Sequence, residues 1–375
     1  MRAGLLVLHR WVALVAGVFV FIVAATGSAL VFEGAMDRAL YPDLWRVTPS
    51  GVALSLDTLI ARARAAAPGM PVAGITLPPA DDRADVVQAG LNQVFVNPYT
   101  GAVLGQRTLA QWNATLPRRL HVLHVSLIAG RAGEEIVAAI TTLSLFLALT
   151  GLILWWRDKI WRMRWSASWK RLVFDLHHSL GATAATVIAI ITLSAMVMHY
   201  GMLNSLMYRL DRTAPAAPPA QPAAPAGATP ISADSLSRVA HSALPGARLM
   251  FLSLSPTARQ PFLAAMRFPE DHTPGGRSRV VVDRFTGRVL MVTSTRQAEL
   301  GTRLGNAIRS IHTGDLFGRP TEAIWLLAAI VLATQAVSGV LMWWNGRRGR
   351  AAVARAGTRR SRAESTEMSR TERTG

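Results

Sequence analysis

The sequence predicts an α-helical membrane protein in which four transmembrane helices form two parallel helix–module–helix repeats, with two α+β modules outside the membrane. Of the 375 residues, 51% are hydrophobic and 17% are charged, whereas soluble domains carry about 25% charged residues. Four stretches lack Asp, Glu, Lys and Arg, and each has at least about 20 residues, enough to cross a hydrocarbon core roughly 30 Å thick. These stretches are 11–32, 136–156, 176–208 and 323–346. The segments between them match one another, which indicates an internal repeat.

The first predicted helix is expected to be retained as a membrane anchor. Its apolar run is too long for the hydrophobic region of a signal peptide, and it ends in a poor cleavage site. The predicted order is helix 1 at 8–33, module 1 at 34–120, helix 2 at 121–157, a cytoplasmic loop at 158–172, helix 3 at 173–208, a Pro/Ala linker at 209–230, module 2 at 231–308, helix 4 at 309–345 and a basic tail at 346–375.

The distribution of positive charge predicts that both termini are cytoplasmic. Segment 157–172 holds six Lys or Arg against one Asp, and the segment after Trp344 holds nine Arg against three Glu. Both segments flank membrane spans, as cytoplasmic segments do. The net charge of +18 therefore indicates orientation and contact with anionic membrane lipid. No nucleic-acid partner is expected.

The two outer loops are predicted to hold matching α+β modules. Ser55 and Ser232 each precede a periodic apolar run that closes with Pro-Gly, the pattern of a capped amphipathic helix. Further along, the turns Asn97-Pro-Tyr-Thr-Gly and Asp283-Arg-Phe-Thr-Gly lie between β-branched runs. This pattern is typical of a hairpin.

The repeat continues into the membrane. Thr150-Gly-Leu-Ile-Leu-Trp-Trp matches Ser338-Gly-Val-Leu-Met-Trp-Trp. The Trp pairs favour an aromatic belt at the membrane interface. Both halves begin on the same side, so they are predicted to be parallel repeats related by a pseudo-two-fold axis along the membrane normal.

Four histidines at repeat-related positions predict haem ligation. His9 matches His177 at the cytoplasmic ends of helices 1 and 3, and His124 matches His312 at the outer ends of helices 2 and 4. A single histidine at a helix end is more often an interfacial polar residue. A two-fold axis, however, places equivalent side chains opposite each other, which an iron with two axial imidazoles requires. Because the chain has no cysteine, attachment through C-x-x-C-H and iron–sulfur clusters are excluded.

Other polar residues are predicted to lie beside these ligands. His121 and His178 fall opposite Arg309 and Arg10 and are expected to support the site without binding iron. His199 is an alternative outer ligand by position, although its counterpart is Val31. Arg131 and Arg319 are expected to pair either with haem propionates or with Glu134 and Glu322. Asp315 is a candidate acid at the outer mouth.

Several enzyme classes are excluded by missing motifs. No Gly-rich phosphate loop follows a strand, and neither H-E-x-x-H nor G-x-S-x-G is present. The cytoplasmic segments are too short for a flavin or nicotinamide domain. Electrons are therefore expected from membrane quinol or from a separate reductase.

A set of motifs resembles the PepSY-associated transmembrane family over residues 5–346. They are His9-Arg-Trp, the two turn motifs, His124-x-x-Leu-x-x-Gly-x-x-Gly, Asp175-Leu-His-His-x-Leu-Gly and His312-Thr-Gly-Asp. The resemblance implies a bacterial inner-membrane protein with two periplasmic PepSY-like modules. It also implies similarity to ferric-siderophore reductases that hold two b-type haems, with the histidine positions falling on His9, His124, His177 and His312.

The leading hypothesis is transmembrane electron transfer by an oxidoreductase of the ferric-chelate reductase type. Electrons would pass from the cytoplasmic side to a periplasmic acceptor such as a ferric siderophore, releasing Fe(II). The alternative is a haem-free scaffold or sensor whose modules bind a periplasmic peptide or protease. A transporter is disfavoured because no charged residue lies deep within the spans.

Overall fold

The structure is a computed structural model that describes residues 2–159, 161, 163–209, 217 and 219–371. Side chains are described for these residues except 158 and 348–371. The predicted linker at 209–230 and the basic tail at 346–375 therefore lie partly outside the described residues.

The helices are numbered in chain order. They are α1 (Arg2–Leu30), α2 (Glu33–Leu40), α3 (Pro42–Trp45), α4 (Leu56–Ala66), α5 (Leu109–Ala114), α6 (Leu116–Ser126), α7 (Gly130–Asp158), α8 (Trp169–His199), α9 (Gly201–Arg209), α10 (Ala233–Ala243), α11 (Leu300–Thr313) and α12 (Arg319–Thr371).

Four helices within the described residues are long and apolar enough to cross a membrane, as predicted. They are α1, α7 over Gly130–Arg157, α8, and α12 over Arg319–Arg347. The most apolar windows have mean hydropathies of 2.1 to 2.3, yet only 11% to 33% of each window is buried. Apolar side chains that face outward along such a helix suit a lipid environment. The chain is therefore a multi-pass membrane protein.

The chain divides into two compact units. The helical unit comprises Met1–Ser28, His124–Leu193 and Leu326–Gly375, and the sheet unit comprises Ala29–Leu123 and Ser194–Trp325. Each predicted repeat contributes to both units.

Apolar side chains pack the helices of the helical unit against one another. Ala16 and Val20 of α1 contact Ile140 of α7, with Leu332 and Ala336 of α12 packed against them. Without a hydrophobic driving force between helices in lipid, such van der Waals packing supplies much of their association.

Three of the predicted membrane helices are interrupted. In place of one helix over 121–157, α6 ends at Ser126 and α7 begins at Gly130. Leu127 and Ile128 between them have positive φ values of 49° and 60°, which end a right-handed helix. In place of one helix over 309–345, α11 ends at Thr313 and α12 begins at Arg319. The predicted helix over 173–208 is likewise divided between α8 and α9.

The two predicted modules form one sheet. Its strands are β1 (Val72–Thr76), β2 (Asp85–Ala89), β3 (Asn92–Val96), β4 (Val103–Arg107), β5 (Arg248–Ser253), β6 (Phe262–Arg267), β7 (Ser278–Val282) and β8 (Val289–Thr293). Their order is β4-β3-β2-β1-β5-β6-β7-β8, and every neighbouring pair is antiparallel. The halves join where Ile75 of β1 pairs with Leu252 of β5.

The core of the sheet unit lies under α4 and α10. Leu59 of α4 and Leu236 of α10 are buried in one cluster with Ile75 and Leu252 of the joined strands. The predicted helix caps are present, since Ser55 Oγ accepts from Thr58 N and Ser232 Oγ accepts from Ser235 N. The predicted hairpins are also present, between β3 and β4 and between β7 and β8.

Candidate cofactor site

A cavity of about 340 Å³ lies among the four long helices of the helical unit, and His9 and His177 both line it. This volume falls within the roughly 300–1,000 Å³ that ligand and cofactor sites occupy. The predicted pair is therefore brought to one cavity. Much of the remaining wall is small or apolar, and it includes Ala13, Gly17, Gly151, Gly181, Ala182 and Gly339. Small side chains along the wall leave room for a flat ligand.

A hydroxyl group fixes the His9 ring. Nδ1 of His9 lies 2.8 Å from Oγ1 of Thr150. That hydroxyl already donates its one proton to Phe146 O, at 2.7 Å, so it can only accept from His9. In the neutral ring the proton therefore sits on Nδ1, and Nε2 keeps the lone pair that a metal ligand needs.

The repeat-related hydroxyl contacts His177 at the same ring nitrogen. Nδ1 of His177 lies 2.8 Å from Oγ of Ser338, which donates to Thr334 O at 2.7 Å, so this contact favours a proton on Nδ1. Gln335, which has no polar counterpart in the first repeat, donates from its amide nitrogen to His177 O and to His177 Nδ1, both at 3.0 Å, while its oxygen accepts from Gly181 N. The bond from Gln335 requires Nδ1 to accept, so Ser338 and Gln335 favour opposite tautomers and His177 is less firmly fixed than His9.

Two matched glycines let these rings lie against the neighbouring helices. A Cβ added at Gly151 would lie 3.4 Å from Cε1 of His9, and one added at Gly339 would lie 3.6 Å from Cε1 of His177. Each glycine directly follows the tethering hydroxyl residue in the sequence. The repeat therefore reproduces the histidine, its hydroxyl partner and the space beside its ring.

His124, also in the helical unit, is held more tightly. Its Nδ1 lies 2.9 Å from Val23 O and 3.2 Å from Oγ1 of Thr26. Because a carbonyl oxygen can only accept, Nδ1 carries the proton and Nε2 again keeps the lone pair. A Cβ added at Gly27 would lie 2.9 Å from His124 Cε1, closer than real Cβ atoms approach.

His312 belongs to the sheet unit. Its Nδ1 lies 3.4 Å from Oγ of Ser194, and Ser194 stands at the same sequence distance from His177 as Thr26 does from His9. The predicted outer pair is thus divided between units, with His124 in one and His312 in the other. All four predicted histidines nevertheless have a hydroxyl group at Nδ1, at repeat-related positions.

Arg10 and His178 also line this cavity. Nδ1 of His178 donates to Phe174 O, at 2.9 Å, and its ring stacks on Phe174 with centroids 4.0 Å apart. Nε of Arg10 is buried and has no hydrogen-bond partner among the described residues. An orphaned guanidinium atom at a cavity wall fits a ligand that carries acidic groups.

Three other predicted residues are not among those that line this cavity. Nδ1 of His121 lies 3.7 Å from Oε1 of Glu33. The interaction with His121 lowers the pKa of Glu33, although burial opposes this effect. His199 ends α8, and its ring meets that of Tyr200 edge-on at 4.8 Å. Oδ1 of Asp315 is buried and lacks a hydrogen-bond partner in the described part of the chain.

Arg131 and Arg319 are exposed at the starts of α7 and α12. Within the described residues, neither forms an ion pair with Glu134 or Glu322. The described residues also contain no group of three or more His, Asp or Glu side chains placed to hold a metal ion. A haem iron takes only two axial protein ligands, so a site of the predicted kind would not form such a group.

The four hydroxyl residues beside the histidines were not predicted from the sequence. The repeat could have indicated them, because Thr150 and Ser338 occupy matching positions, each directly before a matching glycine. Thr26 and Ser194 also occupy matching positions.

In the comparison with known families, the model of the PepSY-associated TM region matches residues 6–346. No curated protein matches the chain.

Proposed function

The chain belongs to the PepSY-associated TM family, and we propose that it is a b-type di-haem electron-transfer protein of the bacterial inner membrane. Both termini would lie in the cytoplasm, and the sheet unit, with its two PepSY-like halves, would lie in the periplasm. Electrons would reach a periplasmic acceptor, an Fe(III) chelate such as a ferric siderophore. The protein would then act as a ferric-chelate reductase.

The observation that carries this proposal is the tethering of the four repeat-related histidines through Nδ1. A histidine kept only for its polarity at the membrane interface does not need a fixed tautomer. A metal-ligating histidine does, because one ring nitrogen must hold the proton in a hydrogen bond while the other faces the metal. Two of these four histidines, His9 and His177, line one cavity, and each has a hydroxyl group 2.8 Å from its Nδ1.

The lining of the cavity also supports the binding of a flat iron porphyrin. Its glycines and alanines leave space beside the imidazoles, and Arg10 supplies a cation for an acidic substituent. His9 and His177 would bind the iron through Nε2. Bound haem would supply the one-electron transfer, and no side chain of the protein would be oxidised or reduced. The apolar helices around the cavity would exclude water.

The second haem is proposed from the sequence, with His124 and His312 as its ligands. Each of these rings has its own hydrogen bond at Nδ1, to Val23 O and to Ser194 Oγ respectively. The electron donor would be membrane quinol or a separate reductase. Reduction of the chelate takes one electron per iron, and oxygen-rich chelators hold Fe(II) less well than Fe(III), so the iron would be released.

The test is a reduced-minus-oxidised absorption spectrum of the full-length protein in detergent, with haem quantified per chain. Two b-type haems per chain are expected. His9→Ala with His177→Ala is expected to remove one of them, and His124→Ala with His312→Ala the other. His241→Ala, which changes an exposed residue of the sheet unit, is the control. A colourless protein from haem-replete cells would overturn the proposal and favour the peptide-binding scaffold.

A further inference from the structure

We propose that Arg10 is the carboxylate-binding residue of the His9–His177 cavity, and that the cavity therefore selects a flat ligand carrying acidic side groups. This inference rests on the proposed function, since haem is such a ligand, with two propionates. It adds a residue that determines which porphyrins bind and how they are oriented.

The charge balance of the cavity is the first observation. Arg10 is the one Arg or Lys in the wall, and none of the described lining residues is Asp or Glu. Arg10 cannot be deprotonated in a protein. Its Nε is shielded from solvent and has no hydrogen-bond partner among the described residues. A buried donor of a charged group that is left without a hydrogen bond is costly, so a partner for this Nε is expected from outside the chain.

Only the first of the two repeats supplies an arginine at this position. His178 occupies the position that matches Arg10 and lines the same cavity. Its Nδ1 proton is already committed to Phe174 O, at 2.9 Å. The two halves thus supply equivalent histidines, His9 and His177, but only one guanidinium. A ligand with two carboxylates would bind with one of them at Arg10, which breaks the two-fold symmetry of the site.

The chemistry of the pair favours arginine at this position. A guanidinium and a carboxylate form two parallel charge-assisted hydrogen bonds, whereas a lysine offers a point charge. The Cζ atom of Arg10 lies 5.9 Å from the Trp11 ring, a contact that limits where the guanidinium can point. The geometry is therefore already restricted before a ligand binds.

The test compares haem with its dimethyl ester, in which both carboxylates are masked. Full-length protein purified without haem is titrated with each compound on the His124→Ala, His312→Ala background, so that only this cavity is measured. Haem is expected to bind roughly tenfold or more tightly than the ester, the effect of one charge-assisted hydrogen-bonded pair. Arg10→Gln is expected to lower haem affinity to that of the ester, and Arg10→Lys to give an intermediate value.

The matched control is Arg2→Gln, which removes a cation from the same helix outside the cavity and is expected to leave the preference unchanged. Equal binding of haem and ester by the unsubstituted background would overturn this inference and leave the proposed function standing, as would a preference that persists in Arg10→Gln. The comparison of the two ligands needs no change at Arg10, so misfolding of that variant does not remove the test. Binding of neither compound would overturn both proposals.

Discussion

Asp57 and Asp234 each cap the helix that the other begins. Oδ1 and Oδ2 of Asp234 accept from Leu56 N and Asp57 N at 2.8 and 3.2 Å. In return, Asp57 accepts from Ala233 N and Asp234 N at 2.8 and 3.3 Å. The two carboxylates occupy repeat-related positions, so these reciprocal hydrogen bonds follow the two-fold symmetry of the sheet unit. It joins α4 to α10 independently of the strands.

Asp57→Ala is therefore expected to loosen α10, the helix to which it does not belong. It removes two acceptors from the start of α10, at a cost of about 1–3 kcal/mol, whereas the backbone N–H groups that donate to Asp234 remain. Hydrogen–deuterium exchange should show faster exchange at the start of α10. Asp43→Ala, at an exposed position in α3, is the control. Faster exchange confined to α4 would contradict the reciprocal capping.

The buried carboxyl of Asp85 is expected to make the sheet unit less stable as pH rises. Burial raises its pKa to about 7, although Arg248 opposes the shift. Because the folded pKa lies above the unfolded value, the folded form binds more protons, and stability falls between about pH 4 and pH 7. The loss is at most about 4 kcal/mol. Denaturant unfolding at pH 5 and pH 8 measures it, and Asp85→Asn should remove most of the difference. An unchanged difference in that variant would assign it to another group.

The fold could be predicted where it depends on residues close together in sequence. The caps at Ser55 and Ser232 and the turns at Asn97 and Asp283 are local, and the structure contains them. The pairing of β1 with β5 could not be predicted, because no local pattern specifies which distant strand edge a strand will meet. The one indication of this pairing in the sequence is Gly74, since a glycine within a strand can mark the close approach of another backbone. A Cβ at this position would collide with Leu252 O of the partner strand.

Of the interruptions in the membrane helices, one could also be predicted from local residues and another could not. Gly314 and Gly318 have positive φ values of 80° and 72°, and glycine next to a helix end is a recognised stop signal. Leu127 and Ile128 give no such signal, since both favour continuing a helix. For the candidate site, the repeat predicted which histidines correspond. The hydroxyl partners were not predicted because Ser and Thr in membrane helices ordinarily bond to a carbonyl of their own helix.

Ile128→Gly is expected to stabilise the helical unit. Ile128 is β-branched, has a φ of 60° and is 69% exposed, so its left-handed backbone costs about 1–3 kcal/mol and its side chain contributes little packing. Glycine adopts this conformation without strain. Thermal unfolding in detergent should show a higher midpoint. Ile136→Gly, within α7, should instead destabilise by about 1 kcal/mol. Equal destabilisation by both changes would rule out strain at Ile128.

Gly27→Ala is expected to displace His124. The added Cβ would lie 2.9 Å from Cε1 of the ring, which forces the imidazole away from Val23 O and breaks its 2.9 Å hydrogen bond. Haem content should fall from two toward one per chain, while the haem of the His9–His177 cavity remains. Gly4→Ala, on the same helix with nothing within 4 Å of the added Cβ, should retain both. Retention of both haems in Gly27→Ala would exclude His124 as a ligand held in this geometry.

Thr150→Val and Ser338→Ala test whether the hydroxyl tethers act on the iron. Each change removes the acceptor at Nδ1 of His9 or His177 with little change in side-chain volume. An imidazole that donates from Nδ1 is a more basic ligand and favours Fe(III), so losing the acceptor should raise the midpoint potential. Haem affinity should fall roughly tenfold to a hundredfold.

Thr142→Val is the matched control. The hydroxyl of Thr142 bonds to Ala138 O of the same helix, and Thr142 is not among the residues that line the cavity. If Thr150→Val and Thr142→Val shifted the potential equally, the effect would belong to the helix and not to the tether. A shift confined to Thr150→Val and Ser338→Ala would assign a redox role to a hydrogen bond that both repeats contain.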